Sequence, residues 1–502
     1  MRHVLAINVG SSSIKCAYYR NNRRQWRAAV RGFDLARPSI EIKKEGQPLA
    51  SEEVEQDQSF RGLRRFIAQA MEDERNDRGQ LTIIYRVKFG GNDYRTRPVD
   101  QEVLSAIRSS ECLSSRHSRY TLMAIEAFAA EFPQAQHLAG FDSHFFSSMR
   151  DQEPGSQLRA NIRRRYEIIP SGHHGLACSA ALLRLGQLDR TIVGSNTLLY
   201  CQVGSGVSVT AIKDGRPLAN TMTLASSDGP LMHKRSGNIE PGIVLSLLSA
   251  GYPASNLWRL FNEQSGIFAA SETEPDGELN AADILRSHAQ THVSDVYVRR
   301  IVLSMAGYDL RFGPASDIVF SGGVAVHSPA IVRRIIGQFE ALRGVESAIP
   351  SGSFGADAPP WVSPSGRTFH SISIDEQAIL LQLANDWLDR PEQNQKLEIA
   401  DATCICAGIS KGKLTLANDG EPAPPQSAHI LVAPKLTPEL AYRSRSAAAL
   451  LVQHGALTDH GAAICREVHL PCLAGVNWQQ FPTWAWEREV AVDCAAQELM
   501  AT

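Results

Sequence analysis

The chain has 502 residues, a formal net charge of −2, an apolar fraction of 43% and a charged fraction of 21%. These are globular values, and they exclude overall charge as a basis for binding nucleic acid or an anionic membrane. The length indicates three or four domains. No apolar run approaches the roughly 20 residues that a membrane helix needs, and the nine scattered cysteines are typical of reduced thiols. The chain also reaches glycine and serine too early for a signal peptide, so we expect a cytoplasmic protein without a membrane partner.

Two segments, residues 4–19 and 198–213, repeat one design in different parts of the chain. Each has two apolar runs separated by a short turn of glycine and serine, a pattern that predicts a β-hairpin. The repeat predicts two duplicated α/β lobes. A third signal, residues 317–323, predicts a buried strand and a glycine turn, followed by a helical stretch through Ile336.

Helical spacing of apolar residues predicts helices at 59–71, 176–185 and 376–388. The polar segment 389–396 then predicts a linker. A different composition follows it, with a Pro-rich loop at 421–425 and a strand at 430–433. This part predicts a separate compact α/β unit.

The segment 8–15, N-V-G-S-S-S-I-K, contains groups that suit a phosphate. A tight turn at Gly10 exposes backbone N–H groups, the serine hydroxyls add donors, and Lys15 adds a compact positive charge. The segment is neither a Walker loop nor the G-x-G-x-x-G fingerprint of dinucleotide-binding proteins. By itself it is also typical of a plain hairpin turn, so its meaning depends on the motifs that follow.

Those motifs resemble the acetokinase family in their order along the chain. After N-x-G-S-S-S-x-K, Arg86 lies in Y-R-V-K-F-G-G, which is similar to the family's H-R-V-V-H-G-G. Asp142 lies in F-D-S, similar to F-D-T, and Arg235 lies in K-R-S-G-N-I-E-P-G, similar to T-R-S-G-D-I-D-P-G. Glu376 lies in I-D-E, where the family has T-N-E-E. The resemblance covers about residues 1–388 and implies the duplicated actin- and sugar-kinase-like (ribonuclease H-like) α/β fold, with a cleft between its lobes.

The resemblance also implies roles for these residues. Arg86 and Arg235 would clamp the carboxylate and the transferring phosphoryl group, because guanidinium forks match both anions. Asp142 and Glu376 would hold Mg²⁺, directly or through water, beside the co-substrate ATP. The residues expected along the phosphate and nucleotide path are Asn8, Ser11, Ser13, Lys15, Gly204, Ser205, Gly206 and Gly323. Family members are commonly dimers, which predicts a homodimer here.

One departure affects the phosphoryl site. The family's F-H-G-T-S-H becomes I-I-P-S-G-H at residues 168–173. The second histidine of that pattern is His173, whereas the first, which steadies the phosphoryl group in the family, falls on Ile169. His174 is a possible substitute for it. The L-G-N-G turn is also changed, to V-G-S-G at 203–206, so nucleotide recognition is expected to differ in detail.

The acceptor pocket implied by the resemblance consists of Lys88, Ile168, His173 and Ser226. Lys88 replaces a valine and Ser226 a proline, whereas Ile168 replaces a phenylalanine and stays apolar. Arg116 falls near a leucine position of the family. A pocket that gains two cations disfavours a methyl group, since a buried unpaired charge is costly. We therefore expect an acceptor that is larger or more anionic than acetate. The alternative is that Lys88 extends its ammonium group to solvent.

Residues 400–477 resemble the phosphohistidine (swivelling) domain of PEP-utilising enzymes. The segment 453–467, Q-H-G-A-L-T-D-H-G-A-A-I-C-R-E, matches the family's E-H-G-G-x-T-S-H-A-A-I-x-A-R-E. This implies that His460 is a nucleophile that accepts a phosphoryl group, supported by Thr458 and Arg466. Asp459 stands where the family has serine, and its negative charge would repel a phosphoryl group.

Together the two resemblances divide the chain into a first lobe at 1–145, a second lobe at 146–388 whose closing helix returns to the first, a linker at 389–399 and a mobile domain at 400–502. The predicted function is reversible phosphoryl transfer from ATP to a short carboxylate, which gives ADP and an acyl phosphate, with His460 as a relay. One alternative is a kinase whose C-terminal module takes no part in transfer. Another is a catalytically altered ligand sensor or regulatory protein.

Overall fold

A computed structural model gives the structure of the chain in two compact units, Met1–Ala384 and Asn385–Thr502. No helix among the described residues is long and apolar enough to cross a membrane. The description covers residues 2–10, 13–31, 39–44, 50–53, 67, 80–89, 95–149, 158–166, 168, 171–189, 192, 197–270, 281–287, 292–346, 348–350, 353–355, 357–389, 396–399, 402–417, 429–481, 485–486 and 489–501.

The first sheet of the larger unit is built around a fully buried strand. Its order is β5-β4-β3-β2-β1-β6-β8-β7, and β1 lies antiparallel to β2 and parallel to β6. All seven residues of β1 are buried, as expected of a central strand that is covered on both faces. The strands are β1 His3–Val9, β2 Ser13–Arg20, β3 Arg23–Arg31, β4 Ser39–Lys44, β5 Ala50–Glu53, β6 Leu81–Val87, β7 Arg97–Pro98 and β8 Gln136–Phe141.

The second sheet repeats the same topology. Its order is β11-β10-β9-β12-β14-β13, and β9 lies antiparallel to β10 and parallel to β12, as β1 does to β2 and β6. The duplication predicted from the two hairpins is therefore confirmed. The strands are β9 Thr197–Val203, β10 Val207–Lys213, β11 Arg216–Asn220, β12 Asp317–Ser321, β13 Trp361–Val362 and β14 Thr368–Ser371.

Helices pack on both sheets and enclose their apolar cores. A 3-10 helix, Asp142–Met149, directly follows β8. The described α-helices of this part are α1 Gln101–Ser109, α2 Glu111–Glu131, α3 Ala160–Arg165, α4 Gly175–Leu188, α5 Pro241–Ser249, α6 Ala254–Glu263, α7 Gly266–Ala270, α8 Ala281–Ser287, α9 His292–Phe312, α10 Gly323–His327, α11 Pro329–Ala341 and α12 Glu376–Leu388.

The smaller unit has its own sheet and core. The sheet order is β15-β22-β21-β17-β18-β19-β20-β16. Within it, the pairs β17–β18, β18–β19 and β19–β20 are parallel. The strands are β15 Lys396–Glu398, β16 Thr403–Cys406, β17 Ile409–Leu416, β18 His429–Lys435, β19 Ala449–His454, β20 Cys472–Ala474, β21 Glu489–Asp493 and β22 Glu498–Ala501. The helices are α13 Pro438–Arg443, α14 His460–Glu467 and the 3-10 helix Trp478–Gln480.

Most of the predicted elements are confirmed. The helices predicted at 176–185 and 376–388 are α4 and α12. The helical stretch predicted to run through Ile336 was wrong in one respect, because it is divided into α10 and α11. Pro329 begins the second helix, since proline has no N–H to continue the first and fits a first turn. Apart from Ile67, the helix predicted at 59–71 lies outside the described residues, as do 390–395 of the linker and the Pro-rich loop.

Candidate active site

Four polar side chains meet where the parallel strands β1, β6 and β8 end. Nη1 of Arg86 donates to Oδ1 of Asn8 at 3.1 Å and lies 3.5 Å from Oε2 of Glu376. Nη2 of Arg86 donates to Oδ2 of Asp142 at 3.1 Å. The amide of Asn8 donates to Oε2 of Glu376 at 2.6 Å. Asn8, Arg86 and Asp142 converge because the carboxyl ends of neighbouring parallel strands share one edge of the sheet, and Glu376 joins them as the first residue of α12.

The start of α4 fixes the carboxylate of Asp142. Oδ2 accepts from the backbone N–H of His174 at 3.1 Å, and Oδ1 accepts from the N–H of Leu176 at 3.0 Å. A Cβ on Gly175 would lie 1.9 Å from the carbonyl oxygen of Asp142, so this close approach requires glycine.

Burial and mutual charge determine how these groups ionise. Asp142 is 1% exposed and Arg86 is 9% exposed. Burial opposes the charge on Asp142, but Arg86 and the N–H of Leu176 outweigh it and lower the pKa of the carboxyl group to about 2. Burial likewise opposes the charge on Arg86, and the neighbouring Asp142 and Glu376 raise its pKa above the ordinary value. Both groups are therefore ionised at neutral pH.

The two carboxylates retain capacity for a cation. Asp142 accepts three hydrogen bonds, which leaves about one of its roughly four acceptor positions. Oε1 of Glu376 accepts no hydrogen bond from any residue that the structure describes. The described residues contain no group of three or more His, Cys, Asp and Glu side chains arranged for a metal. This donor set fits Mg²⁺, which commonly uses one or two carboxylates and takes its other ligands from phosphate and water.

A second group of side chains converges on Gly206. A Cβ at this position would lie 3.1 Å from Nη1 of Arg235 and 3.4 Å from Nε2 of His174. Nη1 of Arg235 donates to the carbonyl of Ser226 at 3.0 Å, and Nδ1 of His174 lies 2.9 Å from the hydroxyl of Ser208. The hydroxyl holds one ring nitrogen of His174, and the other nitrogen lies on the side of Gly206 and Arg235.

Burial changes the charge of these two groups differently. It lowers the pKa of Arg235 to about 10, so the guanidinium stays positive at neutral pH. It lowers the pKa of His174 well below the ordinary histidine value, so the imidazole is neutral and donates through one nitrogen only. His174 also has a left-handed backbone, with φ of 62°, a conformation whose strain in a non-glycine residue often marks a functional position.

The predicted nucleotide turns pack against each other. The N–H of Gly204 donates to the carbonyl of Gly206 at 3.1 Å, and a Cβ at Gly204 would lie 3.5 Å from the nitrogen of Gly323. Below them, Oε1 of Gln202 accepts from the hydroxyls of Tyr200 at 2.5 Å and Ser321 at 2.7 Å. This network joins the ends of β9 and β12, so the two glycine turns are held side by side.

The predicted acceptor pocket is mostly buried. Lys88 is 8% exposed, His173 1% and Ser226 4%, whereas Ile168 is half-buried. The alternative in which Lys88 extends its ammonium group to solvent is contradicted by this burial of the side chain. Burial first, then the charges of Arg235 and Arg86, lower the pKa of Lys88 well below the usual lysine value.

Not every residue expected along the phosphate path joins this cluster. Ser11 lies outside the described residues, as does Ile169. Ser13 contributes its carbonyl, which accepts from Gly10 at 2.8 Å, and Ser205 is exposed. The exposed Lys15 instead lines a cavity of about 960 Å³ with other basic side chains, Arg24, Arg27, Lys43 and Arg184.

Three residues of the cleft were missed by sequence reasoning. Burial first, then the charges of Lys88, Arg235 and Arg86, lower the pKa of His117 on α2, so this residue lies near the acceptor pocket. No motif surrounds it, and only the fold reveals it. Ser208 and Gly175 were missed for a different reason, since each follows a predicted motif by two residues or fewer and was not considered part of it.

The predicted nucleophile of the smaller unit is accessible. His460 is exposed and is the first residue of α14, where backbone N–H groups favour an anion. Nη2 of Arg466 donates to the carbonyl of Leu457 at 3.0 Å, which places this cation at the loop before His460. The carboxylate of Asp459 accepts from the N–H of Ala456 at 2.7 Å and is therefore partly engaged within that loop.

Comparison with known proteins identifies both parts of the chain. Residues 3–351 match the model of the acetokinase family, and residues 425–497 match that of the PEP-utilising enzyme mobile domain. The resemblance to these two families is thereby confirmed. Acetate kinase from Shewanella amazonensis is 26% identical over 350 residues, which cover 68% of this chain and 87% of the relative. Acetate kinase 2 from Vibrio cholerae is 25% identical over 350 residues, with shares of 68% and 88%.

Solved structures confirm the fold. The crystal structure of acetate kinase from Porphyromonas gingivalis matches with a TM-score of 0.64 and 19% identity, covering 77% of this chain and all of that chain. A propionate kinase from Francisella tularensis matches with a TM-score of 0.63 and 20% identity, with shares of 76% and 99%. The larger unit thus has the predicted actin-like fold. These relatives give no support to the sensor alternative.

Proposed function

The chain belongs to the acetokinase family, whose members are carboxylate phosphotransferases, and we propose that its cleft transfers the γ-phosphoryl group of ATP reversibly to a short carboxylate. Members of the family use ATP with a divalent metal ion, generally Mg²⁺. The observation that supports the proposal best is the convergence of Asn8, Arg86, Asp142 and Glu376 opposite Arg235. This arrangement places the guanidinium groups of Arg86 and Arg235 near two carboxylates that are suited to bind a cation.

The proposed reaction needs positioning more than proton transfer. A carboxylate oxygen of the acceptor attacks the γ-phosphorus, and the bond from that phosphorus to the bridging oxygen of ADP breaks. The acceptor is already ionised at neutral pH, so no general base is required. Arg86 and Arg235 orient the reacting groups and neutralise the charge that spreads over the transferring oxygens. When bound at Asp142 and Glu376, Mg²⁺ would neutralise nucleotide phosphate charge.

A direct assay tests this function. The protein is incubated with ATP, Mg²⁺ and a panel of short carboxylates, and acyl phosphate is trapped with hydroxylamine as the hydroxamate. We expect hydroxamate that depends on ATP, Mg²⁺ and one or more carboxylates, together with ATP formation in the reverse direction from the matching acyl phosphate and ADP. Binding of nucleotide and carboxylate without either product would favour the sensor alternative.

His174 is proposed to take the role of the histidine that the family places at the Ile169 position. Its neutral imidazole is held by Ser208 and lies beside Arg235, where a transferring phosphoryl group would accept its N–H. We expect His174→Ala to lower kcat by roughly 10²-fold, as loss of one fixed donor does, with a small change in KM. His137→Gln is a matched control, since His137 also bonds to a hydroxyl, that of Tyr85 at 2.8 Å, but lies at the far end of β8. An equal loss in both variants would refute the role.

The mobile domain supports a second proposal, in which His460 receives a phosphoryl group and relays it. An exposed imidazole at the start of a helix is a competent nucleophile, and a polar linker would let the domain move as gating elements do. Attack of one ring nitrogen on the phosphorus would displace ADP, or the carboxylate of an acyl phosphate, and the imidazole would lose its ring proton to water.

If His460 relays the phosphoryl group, the protein should carry a phosphoryl label on a histidine nitrogen, and this label should be removed by acid but not by base. After incubation with γ-labelled ATP and Mg²⁺, we expect wild type to carry this label and His460→Ala to carry none. His454→Ala is the matched control, since His454 is also exposed in this unit, and it should label as wild type does. Acyl phosphate formed equally by wild type and His460→Ala, without labelled protein, would instead support a C-terminal module that takes no part in transfer.

A further inference from the structure

The acceptor side of the cleft contains two buried basic side chains, Lys88 and Arg235, that pair with no described carboxylate. Arg86 is paired with Asp142 and Glu376. The contacts described for Arg235 are the carbonyl of Ser226 and the sulfur of Met232. Among the described residues, Lys88 forms no hydrogen bond or ion pair. Neither Lys88 nor Arg235 therefore forms an ion pair with a carboxylate among the described residues, although the charge of Asp142 partly offsets that of Lys88. Burying such charges is costly unless a ligand supplies the anion.

These two cations have different uses. Arg235 lies at the Gly206 turn, so a transferring phosphoryl group is sufficient to neutralise it. Lys88 is additional to that machinery, and the acetokinase pattern has an apolar valine at its position. Compared with a pocket that has valine at this position, a buried lysine favours a substrate that carries one more negative charge.

The histidines around Lys88 cannot supply that charge. Burial, followed by the charge of Lys88, lowers the pKa of His117 well below the ordinary value and that of His173 to about 3. Both rings are therefore neutral and offer polar atoms only. His173 has a buried Nδ1 with no hydrogen-bond partner in the described part of the chain, while its Nε2 lies 3.3 Å from the carbonyl of Leu224. The pocket is thus polar and positively charged, and it does not resemble a methyl pocket.

The short chain segment from Arg86 to Lys88 limits the size of the ligand. Arg86 lies in β6, and Lys88 directly follows Val87, the last residue of that strand. The Cα atoms of Arg86 and Lys88 are at most roughly 7 Å apart, since an extended chain spans about 3.3–3.6 Å per residue. Two anionic groups joined by a short chain fit this separation, with one group at Arg86 and Arg235 and the other at Lys88.

We propose that the acceptor is a short acid with a second anionic group, which Lys88 binds and His117 helps to orient. The inference rests on the proposed carboxylate kinase activity, because it assigns one end of the same substrate. A carboxylate or a phosphonate at the far end would satisfy the site equally, since both are compact anions. Such a ligand would also raise the pKa of Lys88 back toward its ordinary value, because a neighbouring anion favours the ammonium form.

The test compares acceptors that differ only in charge. Malonate, succinate and glutarate are each paired with the half-amide of the same length, and 3-phosphonopropionate distinguishes phosphonate from carboxylate. For the diacid of preferred length, we expect kcat/KM to exceed that of its half-amide by roughly 30-fold, the value of a charge-assisted hydrogen bond. Lys88→Met should abolish this preference, Lys88→Arg should keep most of it, and His117→Gln should reduce it. Lys213→Met, a surface substitution of the same kind, should leave it unchanged.

The outcomes separate this inference from the kinase proposal. A wild-type enzyme that phosphorylates half-amides or monocarboxylates better than diacids overturns the inference but leaves the kinase in place. Equal losses on diacid and half-amide in Lys88→Met also overturn it. If no acid is phosphorylated, the kinase proposal fails. The inference is then tested by measuring, by calorimetry, the binding of each diacid and its half-amide to the protein. Tighter binding of the diacid that depends on Lys88 supports it, and equal binding of diacid and half-amide overturns it.

Discussion

Replacing Arg86 by alanine is expected to lower kcat by roughly 10³-fold, the scale of losing a guanidinium that stabilises phosphoryl transfer. The side chain contacts Asn8, Asp142 and Glu376 at once, so its loss removes both a clamp and the neutralising partner of two carboxylates. Breaking such a buried pair costs about 3–5 kcal/mol of stability. The measurements are hydroxamate formation under saturating substrates and the Tm. Arg86→Lys should recover stability better than activity, because it restores charge without the planar fork.

Arg367 provides the matched control. It is 5% exposed and lies 3.1 Å from Asp309 and 3.6 Å from Glu340, so it is also a buried arginine between two carboxylates. It precedes β14 near the start of β12, at the opposite end of the second sheet from the glycine turns. We expect Arg367→Ala to lower Tm as Arg86→Ala does while keeping kcat within a few-fold of wild type. Equal activity of the two folded variants would exclude Arg86 from the chemistry.

The second large effect is expected for Asp142→Asn. The substitution keeps the shape but removes the charge, and its NH₂ group would face the donors of Arg86 and His174. We expect kcat to fall by roughly 10²- to 10⁴-fold, since loss of a charged contact to the metal–phosphate group is worth several kcal/mol. The variant should also need more Mg²⁺ for half-maximal activity, which a metal titration measures. An unchanged Mg²⁺ requirement would remove Asp142 from the proposed metal site.

The pH dependence of stability gives an independent readout of Asp142. Its pKa in the folded protein is about 2, below the ordinary value of 3.8, so the ionised group stabilises the fold above pH 3.8. This contribution is lost as pH falls toward 2. The difference in free energy of unfolding between wild type and Asp142→Asn should therefore narrow over that range. Asp309→Asn is the control for activity, since Asp309 is equally buried at 1% exposure and is paired with Arg367 away from the cleft.

Local sequence patterns were sufficient for much of the fold. The hairpins at 4–19 and 198–213 and the helices α4 and α12 follow from turn residues and apolar spacing, which depend on neighbours in the chain. The division into two helices at Ser328 and Pro329 was missed, although a proline within a helical pattern is itself a local signal for the start of a new helix. The motifs around Arg86, Asp142 and Arg235 also sufficed to identify the family, because their order along the chain is a sequence property.

The sequence alone determined the family, the duplicated lobes and the residue types available for phosphoryl transfer. Only the tertiary structure decided which of them meet: Glu376 reaches Asn8 and Arg86, Lys15 lies in a different cavity, and His117 approaches Lys88. The sequence also could not decide whether Lys88 is buried, since the long aliphatic stem of a lysine can lie in a pocket or extend to the surface. The physical reason is that charge and desolvation depend on groups that are distant in sequence, whereas strands and helices depend mainly on groups that are near.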